Sequence, residues 1–321
     1  MFVRARLGGQ SPATPGKGVT TLSRTTETFA SQLSADDRIE VVANLASGSV
    51  GPDAPAQLAA ILEEYGLVAN IRALDAADLI SSLEAAIATA PRLLIVLAGD
   101  GTARAAAELC GLSGPLLVLL PGGTMNFLSR AIYGANPWPQ ALRLALDEGQ
   151  PRTLGGGCVE GHPFLCAAIL GSPALWAPAR EALRKGKIGL ALQRAGQALG
   201  RSFGHRLRYV IDAGRLDRAR AVVVMCPIAS KVMDEDDGRL EAAALNFQNA
   251  ADALQLVGSA LVGDWRENPL VENRPCKTIQ IWSSQPIPAI LDGETVSLGR
   301  IIETHYDPAV TRVLAPPRSV R

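Results

Sequence analysis

Apolar residues along this chain recur with two different periods, and the change falls near residue 150. Ile39 to Ala43 is a short β-branched run, and Asn44-Leu45-Ala46-Ser47-Gly48 turns away from it. Leu58, Ile61, Leu62 and Tyr65 return at helical spacing until Gly66 stops them. Leu67 to Leu74 reads as a second strand. Asp75 then stands at a helix cap, with Leu79, Leu83 and Ile87 on one face of a helix ending near Ala90. Leu93–Leu97 and Leu116–Leu120 are wholly apolar, as in strands buried on both faces. Each runs into a glycine turn and a short helix, over Ala103–Cys110 and Met125–Tyr133. Strand and helix in alternation predict an α/β domain with a mostly parallel sheet over residues 36–150.

Beyond it the pattern becomes short strands: Thr153–Val159, Phe164–Leu170, Leu207–Ile211, Ala221–Cys226, Thr278–Ser283 and Ala289–Leu291. Glu160-Gly161-His162 fits a hairpin turn between the first two. Helical stretches interrupt at 178–203 and at about 246–262. A run of strands after an α/β half predicts a separate, mainly antiparallel domain over 151–321, whose last residues are free to return to the first. Residues 1–35 are rich in Gly, Ser, Thr and Pro and lack an apolar signal core, so they read as a disordered leader.

Composition narrows the class. The chain has 321 residues, 48% hydrophobic, and Lys plus Arg equals Asp plus Glu at 31 each. That balance argues against a nucleic-acid partner, which calls for a basic excess. Five cysteines stand far apart with no C-x-x-C pair, and three histidines are too scattered for a zinc site. No apolar run has the roughly 18–20 residues that span a bilayer, so the expected location is the cytoplasm or a membrane surface. Gly200-Arg201-Ser202-Phe203-Gly204 matches a hydrolase pattern, but it ends a basic helical stretch rather than a strand.

The chemistry concentrates after the two apolar strands. One ends in Ala98-Gly99-Asp100-Gly101-Thr102, the other in Pro121-Gly122-Gly123-Thr124-Met125-Asn126. Turns at the carboxyl ends of neighbouring parallel strands are where open α/β sheets bind ligands. Glycines clear space for a polyphosphate, and the following helix N-termini present free N–H groups to its oxygens. Thr102, Thr124 and Asn126 add side-chain donors. Asp100 is the odd member, because a carboxylate repels phosphate unless it works through a metal or takes a proton. Phosphoryl transfer therefore fits better than passive anion binding.

These two turns, the earlier N-x-x-S-G (Asn44 to Gly48) and the later Asp292-Gly293-Glu294 occur in an order that resembles the diacylglycerol kinase catalytic domain family. That family includes sphingosine kinases and bacterial lipid kinases, within an NAD kinase-like superfamily. The resemblance implies an α/β nucleotide-binding domain plus a β-sandwich lipid-substrate domain, ATP and Mg2+ as cofactors, and a role in phospholipid biosynthesis. By resemblance, Gly99, Gly101, Thr102, Gly122, Gly123, Thr124 and Asn126 hold ATP phosphates, and Asn44, Ser47 and Gly48 face the nucleotide. Asp292 and Glu294 enter from the second domain, Asp292 as general base, with Asp100 assisting or itself the base. Asp237-Gly238-Arg239-Leu240-Glu241 resembles a magnesium-associated stretch, making Asp237 and Glu241 the metal candidates. The chain departs from the family pattern at Ala98, Ala105, Ala106, Phe127 and Glu241. Two other readings stay open: a soluble-substrate kinase of the NAD kinase type, which shares the G-D-G-T turn, and a nucleotide- or lipid-binding protein without catalysis. A homodimer is also left open.

One segment points to a membrane. Arg180, Arg184, Lys185, Lys187, Arg194, Arg201, Arg206 and Arg208 stand against Glu181 alone, spaced with leucines. Such a stretch binds anionic headgroups at the inner membrane face, each cation contributing about 1 kcal/mol within a Debye length. Sedimentation with anionic vesicles is expected to fall steeply with salt, and charge reversal at Arg184, Lys185 and Lys187 is expected to weaken it. Binding unchanged by both would make the segment an ordinary solvated helix.

Overall fold

The computed structural model describes residues 29–34, 37–74, 78–171, 206–230, 233, 237–246, 269 and 271–317. The first half alternates as its apolar periods predict: β1 (Ile39–Asn44), α1 (Ala54–Glu64), β2 (Asn70–Leu74), α2 (Leu79–Ala88), β3 (Leu93–Ala98), α3 (Asp100–Cys110), β4 (Leu116–Pro121) and α4 (Phe127–Tyr133). β1, β3 and β4 are buried at every position, as unbroken apolar strands between helix layers require. β1 pairs in parallel with β2 and β3, and β3 with β4. A fifth helix, α5 (Trp138–Glu148), escapes the sequence reading, although Trp138, Ala141, Leu142, Ala145 and Leu146 form its buried face. Asp75 lies outside the described residues, and Asp78 stands at the N-cap of α2.

A carboxylate on the central sheet is fully partnered. Glu40 on β1 is 2% exposed. It takes hydrogen bonds from Asn70 and Arg72 of β2 and from Thr89 at the end of α2. Burying it is tolerable only with such partners.

The second half forms β5 (Gln150–Val159), β6 (His162–Phe164), β7 (Ala167–Gly171), β8 (Leu207–Ile211), β9 (Asp217–Ala219), β10 (Ala221–Met225), β11 (Leu240–Leu245), β12 (Val271–Cys276), β13 (Thr278–Trp282), β14 (Ile287–Leu291), β15 (Glu294–Leu298) and β16 (Ile301–Ala315). The expected single strand over Phe164–Leu170 is instead two, broken at Leu165-Cys166. One sheet runs β12-β11-β10-β7-β14-β15, with every pairing antiparallel. The other runs β2-β1-β3-β4-β16-β13-β8-β9, with β5 and β6 joined to it at β16. The expected classes are therefore present: a mostly parallel α/β part and an antiparallel sheet in the second half.

β16 links them. Along one side it pairs with β5 from Thr304 to Ala315. Its first half pairs on the other side with β13, and further along Val313 pairs in parallel with Leu117 of β4. Pro308 falls inside the register shift between Asp307 and Thr311, where a missing N–H costs no ladder bond. The far end of β16 is tied to the helix layer by Tyr133, which is buried and donates its hydroxyl to the Leu314 carbonyl at 2.7 Å. Tyr133→Phe removes that donor and leaves a buried carbonyl unsatisfied. It is expected to cost about 1–3 kcal/mol, seen as a lower urea midpoint with an unchanged m-value.

Candidate functional site

The two glycine turns meet backbone to backbone. Gly99 is the N-cap of α3, with no side-chain cap, so the first N–H groups of an eleven-residue helix stay open to an anion. A Cβ at Gly123 would lie 2.7 Å from the Gly99 Cα. The glycine at 123 is thus required by contact between the turns, not only by space for a phosphate. Asn126 adopts the left-handed conformation at φ 54°, and its amide staples the turn. Its Oδ1 accepts from Gly123 N–H and its Nδ2 donates to the Gly123 carbonyl, both at 2.7 Å. Both ends of the Asn126 amide therefore hold the loop, with one Nδ2 hydrogen given to Gly123 and a second left over.

The first loop joins the same place. Asn44 accepts from Ala46 N–H and shapes the turn after β1. Ser49 donates its N–H to the Gly122 carbonyl and its hydroxyl to Gly123. Ser49 lies one residue beyond the quoted motif, which is why sequence reading missed it. Gly48 stands opposite Thr124, with the Thr124 Oγ1 3.6 Å from where a Cβ would be. Ser47 and Thr102 are half-buried and Thr124 is exposed, so all three line an open surface. Asp100 accepts from the Leu128 N–H at 3.2 Å, at the uncapped N-terminus of α4. That positive helix end offsets the carboxylate charge beside the cradle.

From the other side comes a two-residue hairpin. Asp292 and Gly293 both have positive φ, 47° and 96°, in the Asp-Gly turn between β14 and β15. Glu294 follows, and its side chain rests against Gly101 in the first turn of α3, where a Cβ would collide with it. Asp292-Gly293-Glu294 is thus a hairpin turn whose last side chain stands on α3.

Asp292 is buried, and its carboxylate accepts three backbone N–H groups. Leu165 donates to Oδ2 at 2.6 Å, and Cys166 and Ala167 donate to Oδ1 at 2.8 Å. Burial pushes its pKa above the ordinary 3.8, against the opposing pull of the three amides and of the Arg104 charge. Oδ1 has spent both lone pairs and Oδ2 keeps one. The break between β6 and β7 exists to aim these amides. Backbone donors leave no mark in a sequence, so this anchor was not legible.

Of the metal candidates, Glu241 is set apart from the hairpin by its strand register. Glu241 is 2% exposed and accepts from the Ser230 hydroxyl at 2.6 Å. It lies in register with Met225 and, through β10, with Ala167, about three strand spacings or ~14 Å from Asp292. Asp237 is exposed and precedes β11. Among the described residues no three His, Cys, Asp or Glu side chains are grouped to hold a metal. Of the basic segment, residues 179–205 lie outside the described residues, as does the serine motif at 200–204. Among the described residues no helix is long and apolar enough to cross a membrane.

Residues 38–156 match the family model of the diacylglycerol kinase catalytic domain. Two solved structures from Bacillus anthracis str. Sterne share the fold over 88% of this chain and 98% of theirs. One is of a diacylglycerol kinase, at a TM-score of 0.63 and 22% identity. The other is of a protein assigned to the diacylglycerol kinases, at 0.65 and 19%. The matched region contains the first three motifs, and the shared fold extends through the second sheet. Gly123→Ala is expected to force the two turns apart, costing about 1–3 kcal/mol of stability together with nucleotide affinity. Thermal unfolding and ATP titration of the same preparation check it, and a variant that keeps both would separate the turns from nucleotide binding.

Proposed function

With a diacylglycerol kinase catalytic domain matched over residues 38–156, we propose that the chain is an ATP-dependent lipid kinase. It transfers the γ-phosphoryl group of ATP to a hydroxyl of a diacylglycerol- or sphingosine-like lipid. The carrying observation is the seat of Glu294 on Gly101, which brings the acidic hairpin of the second sheet onto the phosphate-binding end of α3.

In this reading the open N–H groups of α3 and the stapled turn at 121–126 hold the phosphate chain. The lipid enters from the second sheet with its hydroxyl at Asp292. The acceptor oxygen bonds to the γ-phosphorus as the bond to the β-phosphate oxygen breaks. The hydroxyl proton passes to the remaining lone pair of Asp292 Oδ2, and ADP leaves. The three amides fix the direction of that lone pair, and burial raises the basicity of the carboxylate above that of an ordinary Asp. Magnesium belongs here to the ATP substrate.

Purified protein with Mg-ATP and lipid extract is expected to yield phosphorylated lipid, identified by mass spectrometry, and no NADP when NAD is supplied. Asp292→Asn is expected to lower turnover by roughly 10²–10⁴ while ATP still binds. Wild-type turnover is expected to fall as pH drops through the raised pKa of Asp292, because a base must be unprotonated. That acid limb lies above the ordinary value of 3.8 and vanishes in the variant. Full activity in Asp292→Asn removes this residue from proton transfer.

A further inference from the structure

α3 carries one cation that neither the family motifs nor the glycine turns account for. Arg104 follows Asp100 by four residues and Gly101 by three, so it shares their face of the helix. This is the face on which Glu294 rests.

The environment of Arg104 is crowded with acids and incompletely bonded. Its Nη1 donates to Glu108 at 2.8 Å, and its side chain is 14% exposed. Its charge also acts on the buried Asp292 carboxylate in the hairpin of the second sheet. Yet its Nε is buried with no hydrogen-bond partner among the described residues. A buried guanidinium N–H without an acceptor is costly and awaits one. The Glu108 pair is already made through Nη1, so charge balance alone does not explain the orphan. An acceptor bearing negative charge, arriving between the helix N-terminus and the hairpin, does.

We propose that Arg104 contacts the terminal phosphoryl group of the nucleotide, its Nε–H donating to a γ-phosphate oxygen. The inference rests on the kinase reading and adds the residue that distinguishes a triphosphate from a diphosphate. Arg is suited to this role because its planar fork serves Glu108 and a phosphate oxygen at once. As charge develops on the transferring group, the same contact stabilises it.

The test needs no lipid. ADP and the β,γ-imido analogue of ATP are titrated into the full chain, wild type and Arg104→Met. The expected result is a roughly ten-fold or greater loss of affinity for the analogue with ADP affinity unchanged, one hydrogen bond to a charged group being worth about that factor. Arg104→Lys, which keeps the charge but loses the Nε–H, is expected to fall between the two, and carries the comparison should the methionine variant fail to fold. Equal losses for both nucleotides, or no loss for either, overturn the proposal and leave Arg104 as a structural counter-charge. Failure of the wild type to bind either nucleotide overturns the kinase reading itself, and this inference with it.

Discussion

The placing of the hairpin against α3 depends on one strand belonging to two neighbourhoods. β16 gives its first half to β13 and its later residues to β4, while β5 follows it along the opposite side. The parallel strands and the antiparallel strands are therefore not hung on a flexible linker. They share a hydrogen-bonded ladder, and its far end is held to α4 by Tyr133. α3 lies along this junction. Near its start Gly101 meets Glu294, and past its end the Gly111 and Gly114 carbonyls accept from Thr311 and Arg312. Fixing a helix at both ends against the second half fixes where the acidic hairpin stands.

Electrostatics at the junction follow from that placement. Three carboxylates, Asp100, Asp292 and Glu294, stand near the open N-terminus of α3, where the proposed phosphates would lie. Each would repel a phosphate in isolation. Asp100 faces the N-terminus of α4, and Asp292 is wrapped by three amides and feels Arg104. Asp100 and Asp292 are thus tempered by fixed backbone dipoles, which would cost no reorganisation when charge moves in the proposed reaction. The same amides make Asp292 an architectural residue, tying the β14–β15 turn to the β6–β7 break. The role proposed for it in proton transfer would use the lone pair that this anchor leaves free.

Local preference is overruled in the second sheet. Leu240-Glu241-Ala242-Ala243-Ala244-Leu245 has the composition of a helix, yet it forms β11 with all six residues buried. Between β10 and β12 its backbone is paired on both edges. That pairing and the burial outweigh an intrinsic preference of at most about 1 kcal/mol per residue. β12 beside it contains Pro275 and is an edge strand, where a missing donor is harmless.

The sequence by itself determined the parallel half. β1, β3 and β4 are apolar throughout because both faces are covered, and that signal needs no knowledge of neighbours. It also determined the glycine turns, since only a close backbone approach calls for glycine at those points, and the Asp-Gly hairpin, since a two-residue turn of positive φ demands that pair. Tertiary structure alone decided which half of β16 pairs with β13 and which with β4. It also decided that β11 is a strand, that Asn126 holds its own loop, and that Glu241 is bound to Ser230 away from the hairpin. It decided, too, the three amides on Asp292 and the unpaired Nε of Arg104. These contacts join residues far apart in the chain or use backbone groups common to every residue, so neither period nor composition encodes them.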